Sequence, residues 1–62
     1  MIIYYVSWID KNDEVQVKMY KTQRGADNFA YNLFSNNENN GAIYVTKKDI
    51  DTWETLDKYS FN

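Results

Sequence analysis

Neither cysteine nor histidine occurs among the 62 residues of this chain, so no disulfide and no Cys/His zinc site can hold its fold together. A chain this short buries barely enough apolar surface to offset the conformational entropy that it loses on folding. Two Trp, six Tyr and three Phe side chains provide large groups to bury. The sequence therefore predicts one domain, residues 1–62, that depends on aromatic packing, on a partner, or on both.

Three segments have the composition of β-strands. Residues 2–9 are almost all β-branched or aromatic, as in a strand that is buried on both faces. Residues 14–21 alternate apolar and polar side chains, and residues 42–47 form a shorter apolar run. The first segment has the composition expected of the central strand of a sheet.

The register of the first hairpin is predicted from the polar residues 10–13, which we interpret as a four-residue turn. That turn length places the alternating apolar side chains of both strands on one face. The opposed pairs are then Trp8 with Val15, Val6 with Val17, and Tyr4 with Met19.

One α-helix is predicted over residues 23–36. Thr22 is a good N-cap, and the Asn-rich stretch that ends at Gly41 is typical of a helix end followed by a turn. Gly25 lies early in the helix and predicts a close approach to the sheet. The apolar stripe of this helix consists of Ala26, Phe29, Ala30, Leu33 and Phe34.

The C-terminal segment, residues 49–62, fits two structures. Ile50, Trp53 and Leu56 have the spacing of a short helix capped by Asp49, and the same segment fits an edge strand. The helix is the favoured interpretation.

These elements predict an α+β fold of the ββαβ type. Its sheet has three antiparallel strands in the order 2-1-3, because a helix joins the second and third strands by a crossover. The helix packs on one face, and a short C-terminal helix or edge strand completes the chain. The predicted core consists of Val6, Trp8, Val17, Phe29 and Leu33.

The sheet face away from the helix is predicted to be more apolar than contact with water requires. A face that meets only water is usually polar, and contiguous apolar patches mark contact surfaces. The candidate contact residues are Ile3, Tyr5, Ile9, Lys18, Tyr20 and Tyr44. In the competing interpretation, residues 47–62 fold across this face and fill it with Trp53 and Phe61.

Other functions have weaker support in the sequence. The alternative function is a small nucleic-acid-binding protein that stacks bases on the sheet-face tyrosines and contacts phosphates with nearby lysines, but acidic residues outnumber basic ones by nine to seven. We predict no catalytic residue, no cofactor and no metal, because the usual bases, nucleophiles and glycine-rich loops are missing. The acidic residues Asp49, Asp51, Glu54 and Asp57 are interpreted as a solvated surface, with metal binding or mimicry of nucleic-acid phosphates as alternatives.

The segments Tyr5–Asp10, Val17–Thr22 and Gly25–Ala30 resemble the small ββαβ proteins of phages and prophages of low-GC Gram-positive bacteria. That resemblance covers about residues 3–35 and implies an anti-defence or host-takeover factor, a group that includes some anti-CRISPR proteins. Such proteins bind and block a host protein without catalysis. We therefore expect a cytoplasmic inhibitor or modulator of a host protein that contacts no membrane, with self-association as a further expectation.

Overall fold

The computed structural model describes all 62 residues as one four-stranded antiparallel sheet with a single α-helix. The elements are β1 (Ile2–Asp10), β2 (Val15–Tyr20), α1 (Gln23–Ser35), β3 (Asn39–Asp49) and β4 (Glu54–Phe61). The strand order is β2-β1-β3-β4. The α+β class and the 2-1-3 arrangement are confirmed, and the expected three-stranded sheet is extended by a fourth strand. The helix is neither long nor apolar enough to cross a membrane.

The core lies between α1 and the two central strands. Six side chains are buried there: Val6, Ala26, Ala30, Leu33, Ile43 and Val45. Aromatic side chains surround them, and Trp8 packs on Phe29 with ring centroids 5.2 Å apart. Small alanines on the helix let its backbone approach β1 and β3, while the large rings close the rim of the core.

The register of β1 against β2 differs by one residue from the predicted one. The turn has three residues, 11–13, and is closed by a 3.1 Å hydrogen bond from the Asp13 N–H to the Asp10 carbonyl oxygen. It ends on Asp13 in the left-handed region, with a φ of 63°, which is a common hairpin geometry. The observed pairs are Trp8 with Gln16, Val6 with Lys18, and Tyr4 with Tyr20.

This shift reverses the two faces of β2, because side chains alternate along a strand. Val17, predicted to be buried, is exposed on the side away from α1. Tyr20 instead faces the helix, where its ring centroid lies 5.7 Å from that of Phe29. Lys18 lies on the same side, with its Nζ 4.8 Å from the centroid of the Phe29 ring.

The carboxylate of Asp10 stabilises this three-residue turn. Its Oδ1 accepts hydrogen bonds from the backbone N–H groups of Asn12 and Glu14, at 2.8 and 3.0 Å. Its Oδ2 accepts one from the side-chain amide of Gln16 at 2.9 Å. These bonds, the Glu14 N–H first and the Gln16 amide second, lower the pKa of Asp10. The Asp10 carboxylate therefore favours the three-residue turn, and with it the observed register of β2.

We expect Asp10→Asn to lower the stability of the fold at neutral pH, because the amide is a weaker acceptor than the carboxylate. The folded-state pKa is depressed, so the contribution is complete above the unfolded value of about 3.9 and is lost as the pH falls through the lower folded value. Urea denaturation of both proteins from about pH 2 to 7 would show the difference between them shrinking at the acid end. A difference that is constant with pH would contradict a role for the charge.

The ends of α1 follow the sequence signals closely. The Thr22 hydroxyl accepts a hydrogen bond from the Gly25 N–H at 3.1 Å, which is the predicted N-cap. A Cβ at Gly25 would lie 3.1 Å from Cδ1 of Tyr20 and 3.2 Å from the Thr22 Oγ1. The predicted close approach of the helix to the sheet at Gly25 is therefore confirmed. At the other end Asn37, at a φ of 55°, and a bond from the Glu38 N–H to the Leu33 carbonyl oxygen terminate the helix.

The favoured prediction of a C-terminal helix is wrong, because β4 pairs with β3 as an edge strand. Trp53 has a φ of 62° in the turn, a conformation that a helix does not contain. In β4, Tyr59 and Phe61 alternate with polar residues and pack against the core beneath α1. The Tyr59 hydroxyl donates a hydrogen bond to the Asp27 carboxylate on the helix, and burial together with this bond raises the pKa of Tyr59 to about 12.

Candidate functional site

The sheet face opposite α1 carries no element of this chain, and we call it the open face. Strand alternation and the observed pairings assign its residues. From β1 and β2 they are Ile3, Tyr5, Ser7, Ile9, Val15, Val17 and Met19. From β3 and β4 they are Asn40, Tyr44, Thr46, Lys48, Thr55, Lys58 and Ser60.

An apolar stripe from β2 forms one border of the open face. Val15, Val17 and Met19 are 73%, 58% and 67% exposed, although all three are in a regular strand. Single exposed apolar residues are common, whereas a strand whose side chains on one face are all apolar and exposed is not. This stripe is the most exposed apolar part of the sheet.

The centre of the open face is more tightly packed. Thr46, which is opposite Tyr5 on one side and Lys58 on the other, is only 4% exposed. Tyr5 and Ile3 are half-buried beside it. The side chains at the centre of the open face are therefore packed against one another, whereas those at its borders are exposed and can contact another molecule.

A bulge in β3 produces a shallow depression on the open face. The pairing of β1 with β3 shifts between Ser7 and Ile9, and Gly41 supports the bulge with a φ of 79°. The depression has a volume of about 280 Å³. Its lining residues are Ser7, Trp8, Ile9, Val15, Asn40, Gly41, Ala42 and Tyr44. Its walls suit an apolar side chain better than a charged one.

Two lysines lie over aromatic rings at the β3–β4 side of the open face. The Nζ of Lys58 is 4.8 Å from the centroid of the Tyr44 ring, and the Nζ of Lys48 is 4.5 Å from that of Trp53. Both distances are in the range of attraction between a cation and an aromatic ring. The face thus combines an apolar border at β2 with aromatic and cationic groups on β3, β4 and the turn between them.

The structure places four of the six predicted contact residues on the open face: Ile3, Tyr5, Ile9 and Tyr44. The prediction was wrong for Lys18 and Tyr20, because the three-residue turn directs both side chains toward α1. The predicted register placed Val15, Val17 and Met19 on the same face as Val6 and Trp8, with Val17 in the core, and therefore missed the apolar stripe. Their alternation was visible in the sequence, but the side to which they point depends on the turn length.

The C-terminal segment does not cover the open face. Phe61 is on the helix side of the sheet, where its ring centroid lies 6.5 Å from that of Tyr59. Trp53 is 63% exposed in the turn between β3 and β4. The competing interpretation, in which these two residues fill the face, is therefore wrong.

The acidic residues near the β3–β4 turn contact the N-terminal ammonium group. The nitrogen of Met1 lies 2.6 Å from Oδ2 of Asp51 and 3.8 Å from Oδ1 of Asp49. The bond to Asp51 is the main cause that raises the pKa of the ammonium group. Glu54 and Asp57 are at separate positions on β4, and no three acidic side chains come together in an arrangement that could hold a metal ion.

No family model, curated protein or solved structure matches this chain.

Proposed function

We propose that this chain is a non-catalytic protein-binding module that inhibits or modulates a partner by covering part of its surface. The contact surface is the open face. One observation carries the proposal: an intact strand, β2, presents three highly exposed apolar side chains beside half-buried Ile3 and Tyr5.

The energetics of this face favour a protein partner. Transfer of one exposed Val or Met side chain into an apolar contact contributes about 1.5–3 kcal/mol. Aromatic residues near the centre of a contact often contribute much of the binding energy, because their rings bury a large area and have few rotatable bonds. Tyr5 and Tyr44 have that position. The depression beside Tyr44 receives an apolar side chain of the partner.

We propose a host protein as the partner. This choice rests on the resemblance of residues 3–35 to phage and prophage proteins of low-GC Gram-positive bacteria, which block host proteins by binding. The chain supplies no His or Cys for catalysis, and the most exposed part of its contact surface is apolar, so inhibition by occupation is the mechanism that its chemistry supports.

Binding of a single-stranded nucleic acid is the second candidate, favoured by the lysines over Tyr44 and Trp53. Aromatic rings with nearby cations are the usual means of stacking bases and contacting phosphates. A net charge of −2 and the uncharged β2 border oppose it, since counterion release supplies most nucleic-acid affinity.

Affinity capture from a host lysate, with and without nuclease, separates the two candidates. A protein partner should remain bound after nuclease treatment, and its affinity should change little between about 50 and 200 mM salt. Loss of the captured material with nuclease, or a fall in affinity of about 10³-fold or more over that salt range, would favour nucleic acid and overturn the protein proposal.

A further inference from the structure

We propose that two copies of this chain pair through the outer edge of β2, in an antiparallel arrangement with Val17 of one copy opposite Val17 of the other. The resulting dimer has one continuous eight-stranded sheet. This inference concerns the sheet edge and does not rest on the proposed function, which concerns the open face.

Backbone groups on the free edge of β2 have no partner within the chain. The Asp10 N–H donates to the Glu14 carbonyl oxygen at 2.9 Å, which fixes the side to which Glu14 points. Hydrogen-bonding direction alternates along an antiparallel strand, so Gln16, Lys18 and Tyr20 also point toward β1. The N–H and C=O groups of Val15, Val17 and Met19 therefore point outward, ready to pair with another strand.

The two edges of the sheet differ in how they are protected. The β4 edge has a bulge at Leu56 and carries Glu54, Asp57 and Lys58, which are typical devices against edge pairing. The β2 edge has neither a bulge nor proline. Its only charged residue, Lys18, is held over the Phe29 ring on the helix side. Pairing is therefore expected at β2 and not at β4.

The proposed register follows from counting the outward-facing residues. With Val17 opposite itself, Val15 pairs with Met19 in both directions, and all three outward residues of each copy form backbone hydrogen bonds. If one strand is shifted along the other by two residues, in either direction, only two of these three residues still pair with an outward-facing residue of the other copy. One of these shifts also places Lys18 directly opposite Lys18, which is unfavourable, whereas the proposed register places Lys18 opposite Gln16.

Charges at the ends of β2 favour the same antiparallel arrangement. Acidic Asp13 and Glu14 precede the strand, and basic Lys21 and Arg24 follow it, all of them exposed. A two-fold axis at Val17 brings the acidic end of each copy beside the basic end of the other. The apolar stripes of both copies then become adjacent on one surface, with Val15 beside Met19 of the second copy.

Sedimentation equilibrium of the full chain tests the proposal. The wild-type protein should have twice the 7.4 kDa mass of one chain. Val17→Lys and Val17→Glu each place like charges opposite each other at the axis, and each should raise the dimer dissociation constant about tenfold or more. An equimolar mixture of the two variants pairs Lys with Glu and should recover the dimer.

Tyr31→Lys is the matched control, because Tyr31 is 61% exposed on α1, away from the β2 edge. It should keep the wild-type mass, and thermal melting should show that all variants are folded. A wild-type protein that stays at 7.4 kDa at high concentration would overturn the proposal. So would a dimer that persists in both single variants, or a mixture that remains monomeric.

Discussion

Replacement of Leu33 by alanine should lower the free energy of unfolding by about 2–5 kcal/mol, the usual range for removing a buried leucine side chain. Leu33 is 7% exposed and packs with Ala30, Ile43 and Val45 between α1 and the sheet. A domain of this size has only a few kcal/mol of stability. We therefore expect the variant to be largely unfolded at 37 °C, and urea denaturation followed by circular dichroism measures the loss.

Phe34→Ala is the control for Leu33→Ala. Phe34 is the next residue of the same helix and loses a larger apolar side chain, but it is 43% exposed. Phe34→Ala should therefore lower the free energy of unfolding much less than Leu33→Ala does. Equal destabilisation by the two substitutions would mean that α1 packs on the sheet with a different face.

Partner affinity should fall by about 2 kcal/mol, roughly 30-fold, when Tyr44 is replaced by alanine. Tyr44 lines the depression, and its ring lies beneath Lys58, so the substitution removes an anchor and one wall of the apolar site. The side chain is partly exposed and outside the core, so the melting temperature should change little. Titration calorimetry with the captured partner gives the affinity.

Tyr31→Ala is the matched control for this experiment, because it removes an exposed tyrosine from the opposite side of the molecule. It should leave affinity within about twofold of the wild-type value, a change below about 0.5 kcal/mol. If Tyr31→Ala weakens binding and Tyr44→Ala does not, the contact surface is on the helix side, and the open face has no part in binding.

The helix was predictable from the sequence because its signals are local. Thr22 can cap only a helix that begins next to it, and the spacing of Ala26, Ala30 and Leu33 identifies the buried side without knowledge of the sheet. Agreement between capping, periodicity and the Asn-rich stop gave bounds within one residue of those observed.

The register of β2 was not predictable in the same way. Residues 10–13 are equally compatible with a turn of three or four residues, and a difference of one reverses every side chain of the strand. The deciding interaction is the set of hydrogen bonds to the Asp10 carboxylate, which the polar composition of the turn does not reveal. Placing Val15, Val17 and Met19 on the same face as Val6 and Trp8 followed from a preference for burying apolar residues.

The C-terminal strand was misassigned because few of its side chains face the core. Only Tyr59 and Phe61 show the alternation of apolar and polar residues that is typical of a strand, whereas Ile50, Trp53 and Leu56 have the spacing expected of a helix. Tertiary contacts decide between the two structures: Tyr59 bonds to Asp27 on α1, and β4 completes the edge of β3. As a result the open face, the candidate site, stays uncovered.

The orientation of β2 determines whether an apolar surface exists for a partner at all, and nuclear Overhauser contacts between β2 and α1 measure it directly. The structure predicts contacts between the ring protons of Tyr20 and Phe29, whose centroids are 5.7 Å apart, and none between the Val17 methyl groups and α1. Contacts from the Val17 methyl groups to Phe29 or Leu33, with Tyr20 in solvent, would contradict the register and remove the proposed contact surface.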